Sequence, residues 1–243
     1  MTASPPTLFD FTQWLTPETA AALKARSRSR RVSAGALIYA QGEPGEDMYR
    51  IRSGIVRMSV MQRDGRELSY QLFQAGDCFG TSTVIDAEPR PQTTEAFEDV
   101  ELDVYSRAVI DELRLLHPSL NDALLRLLSR HMRLLSDYFA GFAFDELSCR
   151  LAQRIVDSID MFGVPIDGGQ VFSRAITQTE LAQMTGGTRQ SVNRVLRDFR
   201  QAGLVSTRGN DLVIRDLPEL RRIAAQGWKL RRFAAGSDDP LRI

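Results

Sequence analysis

The sequence predicts an α+β chain with a β-rich N-terminal half, one long central helix and a small C-terminal unit of helices and a hairpin. Three observations carry this. Short β-prone runs between residues 30 and 107 are punctuated by Gly35, Gly42, Gly45, Gly54, Gly65, Gly76 and Gly80, the mark of a compact barrel or roll. An apolar pattern with steps of three and four runs unbroken through 119–143, which is helical spacing. Residues 175–214 hold two helical patterns separated by Gly186-Gly187, then two β-prone runs around Gly209-Asn210.

In chain order, residues 1–15 carry Pro, Thr and Phe and read as a loosely docked tail. Thr16-Pro17-Glu18 opens a short helix, with Thr16 as its cap and Pro17 in the first helical position. Strands are expected at 36–39, 48–51, 54–60 and 67–72, the last two joined by Arg63-Asp64-Gly65-Arg66, whose Asp-Gly pair favours a hairpin. A short helix follows at 108–116. The long helix has two apolar stripes. Leu120, Leu124, Leu127, Leu134 and Tyr138 form one, and Leu125, Leu128, Met132, Leu135, Phe139 and Phe142 the other. A helix apolar on two sides buries both, one on the β-roll and the other against a second partner, either a twin helix, which the three-four spacing favours, or another part of the same chain. Residues 145–162 are helical, 163–169 form a Gly/Pro/Asp loop, and 171–173 a short strand.

The next segment carries the chemistry. Thr177 and Glu180 form a capping box that opens a helix. Gly186-Gly187 ends it and supplies a tight turn. Thr188 caps the second helix, whose buried stripe is Val192, Val195, Leu196 and Phe199. Its other side shows Arg189, Gln190, Asn193, Arg194 and Arg197. Arg can pair with guanine O6 and N7, and Gln with adenine N6 and N7. Thr179, Thr188 and Ser191 stand near helix N-termini, where backbone N–H groups favour phosphate. The hairpin at 203–214 adds a wing with Arg208 near its tip. Together these features point to a winged helix-turn-helix that binds double-stranded DNA, with Arg189, Gln190 and Arg194 reading bases. Thr179, Thr188, Ser191, Asn193, Arg197 and Arg208 are expected to make phosphate or secondary contacts.

Composition agrees once it is divided. The 31 basic and 31 acidic residues cancel. Residues 1–144 hold 16 basic and 19 acidic, whereas 145–243 hold 15 and 12. Within 174–215 seven arginines face three acids. No signal peptide and no membrane span is read, and two distant cysteines suit a cytoplasmic protein with reduced thiols. No Ser/His/Asp set, P-loop, Rossmann fingerprint or metal cluster is present, so no enzyme is expected.

Over about residues 16–215 the chain resembles the Crp/Fnr superfamily of bacterial transcription regulators, the cyclic-AMP receptor protein and its relatives. The resemblance rests on Gly42-Glu43-Pro44-Gly45-Glu46, Gly54-Ile55-Val56-Arg57, Phe73-Gln74-Ala75-Gly76-Asp77-Cys78-Phe79-Gly80, the long helix and Thr177–Leu204. It implies a tail at 1–15, a cyclic-nucleotide-binding-like β-roll with flanking helices at 16–118 and a dimerisation helix at 119–143. A hinge near Phe144-Asp145, a winged helix-turn-helix at 144–216 and a C-terminal helix and tail at 217–243 complete it. It also implies a homodimer and RNA polymerase as a partner, and places Arg189, Gln190 and Arg194 on the family's base-reading positions.

The effector pocket departs from the family pattern. Gly80 is followed by Thr81, where cyclic-nucleotide binders of this family place a carboxylate for the ribose. Arg90 can stand at the phosphate position, but Pro91 brings neither hydroxyl nor N–H. Ser136 falls where a hydroxyl contacts the base, beside Leu135 in place of a second hydroxyl. The expectation is no cofactor and no cyclic AMP, with another small-molecule effector left open. Haem on His117 or His131 and redox sensing by Cys78 are weaker alternatives, and four-thiolate iron–sulphur binding fails for want of cysteines. The competing function is a cyclic-nucleotide-binding module acting on a protein partner. The basic 218–233 segment, with Trp228, is expected to be a helix, either docked on the wing with a solvated basic face or contacting phosphate or a partner, and the tail from Gly236 disordered.

Overall fold

The computed structural model of the chain describes residues 7–226. Its N-terminal half is a β-roll of two four-stranded antiparallel sheets. The first joins β1 (Arg28–Val32), β8 (Val100–Ser106), β3 (Asp47–Ser53) and β6 (Cys78–Phe79) in that order. The second joins β2 (Leu37–Tyr39), β7 (Thr93–Ala96), β4 (Val56–Met61) and β5 (Glu67–Phe73). Met48, Ile51, Phe73, Phe79 and Leu102 fill the space between them. The β4–β5 hairpin turns where the Asp64-Gly65 pair stands. The helix α1 (Pro17–Arg26) starts as its sequence dictates, with Thr16 accepting from the Thr19 amide.

Three differences from the expected elements have physical causes. Residues 7–15 are no loose tail: Phe9 and Phe11 are buried in the roll, and a 3-10 turn covers Phe11–Trp14. The Cys78 amide donates to the Phe9 carbonyl, and Arg50 pairs with buried Asp10 at 2.9 Å. Strand β1 was hidden by its arginines, which reach outward to Asp47 and Glu101 from an edge position. The segment expected as a loop at 163–169 begins with β9 (Gly163–Ile166), which pairs with β10 (Gly169–Phe172). Pro165 is tolerated there because β9 is an edge strand.

After α2 (Thr81–Asp86) and α3 (Arg107–Leu116), the long helix α4 spans Pro118–Phe144. Its two stripes divide as the pattern requires. Leu120, Ala123, Leu124 and Leu127 are buried on the roll, each leucine contributing about 1.5–3 kcal/mol. Leu125, Met132, Leu135 and Phe139 are 64%, 70%, 53% and 77% exposed, and Leu128 is half-buried. Phe142 departs from that row. It is half-buried, lying against Gly186 and beneath the Arg150 guanidinium at 5.3 Å.

The chain leaves α4 through Asp145 in extended conformation and enters α5 (Leu147–Phe162). The C-terminal unit adds α6 (Gln178–Thr185), α7 (Arg189–Gln201) and the hairpin of β11 (Val205–Arg208) and β12 (Asp211–Ile214). Strand β12 also pairs with β10, so the wing belongs to a four-stranded sheet. The helix α8 (Leu217–Ala224) packs mainly on α5, and not on the wing as expected, burying Leu220 and Ala224 and pairing Arg221 with Asp160 of α5. The expected continuation through Trp228 to Phe233, and the tail from Gly236, lie outside the described residues. Among the described residues no helix is long and apolar enough to cross a membrane.

Candidate nucleic-acid interface

Both helices of the helix-turn-helix are held by local chemistry. Thr177 Oγ1 accepts from the Glu180 amide at 3.1 Å, and Glu180 Oε2 accepts from the Thr177 amide at 2.7 Å. Gly186 closes α6 at φ +63°. A Cβ there would stand 2.6 Å from the Phe142 ring, so only glycine lets the turn approach α4 this closely. At α7, Thr188 and Ser191 cap each other reciprocally, at 3.1 Å and 2.9 Å.

Val192, Leu196 and Phe199 bury one side of α7. Arg189, Gln190, Arg194 and Arg197 are exposed on the other, with Asn193 and Ser191 half-buried beside them. Among the described residues none of these arginines has an ion-pair partner, so each guanidinium is free to meet a ligand. Thr179 is exposed in the first turn of α6, and Arg208 is exposed next to the Gly209-Asn210 turn of the wing. The expected DNA-facing residues thus come from α6, α7 and the wing of one unit.

Sequence reasoning missed the residues that hold this unit against the roll. Glu180 Oε1 accepts from Arg174 at 3.1 Å and faces Arg57 of β4 at 3.9 Å, while Arg57 pairs with Glu95 at 2.9 Å. Gln183 donates to Glu67 of β5 at 2.7 Å. On α5, Arg150 and Arg154 donate to the Thr185 and Met184 carbonyls, both at 3.1 Å, capping the end of α6. Arg154 also donates to the Tyr138 hydroxyl at 2.5 Å, which donates to Gln71 of β5 at 2.9 Å. A polar chain therefore runs from the roll through α4 and α5 to α6. An Arg pair four residues apart, off the apolar stripe of α5, was its one sequence signal.

In the roll, Gly80, Thr81 and Arg90 come together. Arg90 is buried and donates to the Asp47 carbonyl at 2.7 Å and the Gly80 carbonyl at 3.3 Å. Its guanidinium lies 4.3 Å over the Tyr39 ring, and its Nε has no partner. Gly45 makes room, since a Cβ there would sit 2.1 Å from that Nε. The buried hydroxyls of Thr81 and Thr83 are also unpartnered. Ser136 stands apart, exposed on α4 with its hydroxyl donating to the Met132 carbonyl. Cys78 is fully buried and its thiol is pushed well up by desolvation, the opposite of the exposed, electropositive setting that a redox-sensing thiolate needs. Burial lowers His131 to about 4, and its ring stacks on Phe9 at 4.8 Å.

Comparison with known proteins agrees with this architecture. Residues 29–115 match the cyclic nucleotide-binding domain, and residues 149–223 the Crp-like helix-turn-helix domain. The chain is 29% identical over 212 residues to a CRP-like cAMP-activated global transcriptional regulator of Mycobacterium tuberculosis, covering 87% of this chain and 95% of that one. It is 24% identical over 185 residues to the anaerobic regulatory protein of Bacillus subtilis, covering 76% and 78%. A CRP-family transcriptional regulator of Thermus thermophilus has a solved structure at TM-score 0.70 and 27% identity, covering 82% of this chain and 98% of that one. With a nucleotide-binding-type roll and a Crp-like reading head matched in one chain, the protein belongs to the Crp/Fnr superfamily of DNA-binding transcription regulators.

Proposed function

We propose that the chain works as a homodimer that reads a two-fold symmetric operator, each subunit laying α7 in the major groove of one half-site, about one helical turn apart. The observation that carries this is the face of α7, whose arginines are exposed and unpaired while its opposite face is packed. Arg189, Gln190 and Arg194 read base edges. Thr179, Thr188, Ser191, Asn193, Arg197 and Arg208 make phosphate or secondary contacts. The open row Leu125, Leu128, Met132, Leu135 and Phe139 forms the dimer seam, with Phe142 at its end turned toward the helix-turn-helix. Gln190 gives the operator an adenine-type step where a Glu would favour cytosine. RNA polymerase is the proposed protein partner. The test is duplex binding by anisotropy at two salt concentrations. Binding that weakens as salt rises supports the reading, and binding insensitive to salt contradicts it.

The effector is a small molecule bearing an anion, seated in the roll at Arg90. The free Nε and the Thr81 and Thr83 hydroxyls fit an anionic group. The remainder of a cyclic nucleotide fits poorly. Thr81 offers no carboxylate to a ribose, and Pro91 no donor to a phosphate. The cAMP-activated relative favours the second reading, cyclic AMP itself. Calorimetry with cyclic AMP separates them. Absence of saturable binding supports the first reading, and tight binding lost in Arg90→Met supports the second.

A further inference from the structure

The helix α8 packs mainly on α5, and Ala224 at its end also borders a cavity of about 460 Å³ between the roll and the reading unit. The other walls come from β5, α4, α5 and α6, with Thr7, Leu8 and Phe9 along one side. Just past Ala224, Ala225 and Gln226, the sequence runs Gly227-Trp228-Lys229-Leu230-Arg231-Arg232-Phe233. We propose that this segment of the same chain occupies the cleft, its apolar side chains on the apolar wall and its cations toward the acids of the lining.

Position comes first. Trp228 follows Ala224 by four residues, as Ala224 follows Leu220. Helical spacing therefore sets Trp228 on the side of α8 that meets α5 and borders the cavity. Even as extended chain, four residues span at most about 14 Å, so the indole cannot seat far from this mouth.

Charge and apolar surface both match. Five aspartates and two arginines border the cavity, and Arg221 adds a third cation through Asp160, so the balance stays acidic. The segment brings Lys229, Arg231 and Arg232 and no acid. On the apolar side, Leu8 is 46% exposed, and Tyr70, Leu134 and Met161 are only half-buried although they line a cleft between two packed units. Covering them with Trp228, Leu230 or Phe233 removes apolar surface from water on both partners. A DNA backbone, the competing occupant for a basic segment, offers phosphates and sugars in place of an apolar wall. Since β5 belongs to the roll and α5 and α6 to the reading unit, a segment seated here braces the two units against each other.

The test is tryptophan fluorescence of the full chain. The second tryptophan is Trp14, so Trp14→Phe leaves Trp228 as the single reporter, and Trp228→Phe gives the same signal by difference. Without DNA, Trp228 should emit at short wavelength and resist acrylamide. Asp137→Lys in the lining should raise its quenching at least twofold, and so should Lys229→Glu, Arg231→Glu and Arg232→Glu combined, both with unchanged circular dichroism. A Trp228 as open to acrylamide as in the unfolded chain, or one that either charge change leaves shielded, would overturn the proposal. So would shielding lost on dilution, which assigns the cleft to a second copy, or shielding that appears only with duplex DNA. The measurement needs neither DNA nor effector, so its failure is distinct from a failure of the DNA-reading proposal.

Discussion

Arg194 stands on the exposed side of α7, and nothing in the described residues competes for its guanidinium. Its replacement by Ala should cost about 1–3 kcal/mol at the specific operator and relax the choice of one base. Selection on randomised duplexes reads this directly, and unchanged specificity would refute the role. Arg197→Ala should weaken all sequences alike and lower the salt dependence by about one phosphate contact. His131 makes a prediction about pH. Burial holds it near 4 when folded, against 6.5 when free. Between those values the unfolded chain binds a proton that the folded chain does not, so stability falls as pH drops through this window. Asp77, raised to about 6 by burial, acts in the opposite sense between 3.8 and 6. Replacing His131 by Phe, which can keep the stack on Phe9, should abolish a loss of about 1–2 kcal/mol between pH 7.5 and pH 5. Urea denaturation at the two pH values checks it, and equal losses in both proteins would contradict it. The groups legible in sequence were those with local partners, such as Thr177 with Glu180. Arg57, Tyr138 and Arg154 were not, because their partners lie on distant elements.

At the scale of elements, α4 is where the proposed dimer would form. An apolar row with steps of three and four and more than half of several side chains exposed suits a seam with a second copy. Leu128→Asp or Leu135→Asp should convert dimer to monomer in light scattering, because a charge would enter an apolar seam. A monomeric unmutated protein would remove the premise. The capping box of α6 is a second element-scale device. Thr177→Ala should cost about 1 kcal/mol, read as a lower melting midpoint of the reading unit, and an unchanged midpoint would count against it. Regular elements were legible wherever one periodicity ran unbroken, as in α4 and α7. Strand β1 and the 7–15 strap were not. An arginine-rich edge strand has no apolar alternation, and Phe9 and Phe11 become core only once the roll exists to receive them.

Over the whole molecule, the neutral chain is a mildly acidic roll joined to a more basic reading unit. In the proposed dimer, affinity for DNA would depend on placed arginines and paired half-sites, with little from a diffuse field. The two units share an apolar seam in which Ile55, Leu72 and Phe97 of the roll meet Phe162 and Phe172. The Gln71–Tyr138–Arg154–Met184 chain crosses beside it. A change in the roll therefore has a physical path to α6, which makes a shift between two relative placements of the units the natural form of control. The most direct test of the central claim is selection of duplexes from a random library by the purified protein. The account predicts an enriched two-fold symmetric site with half-sites about one helical turn apart, degenerate at one step in Arg194→Ala. A single asymmetric half-site, or no enrichment, would contradict it.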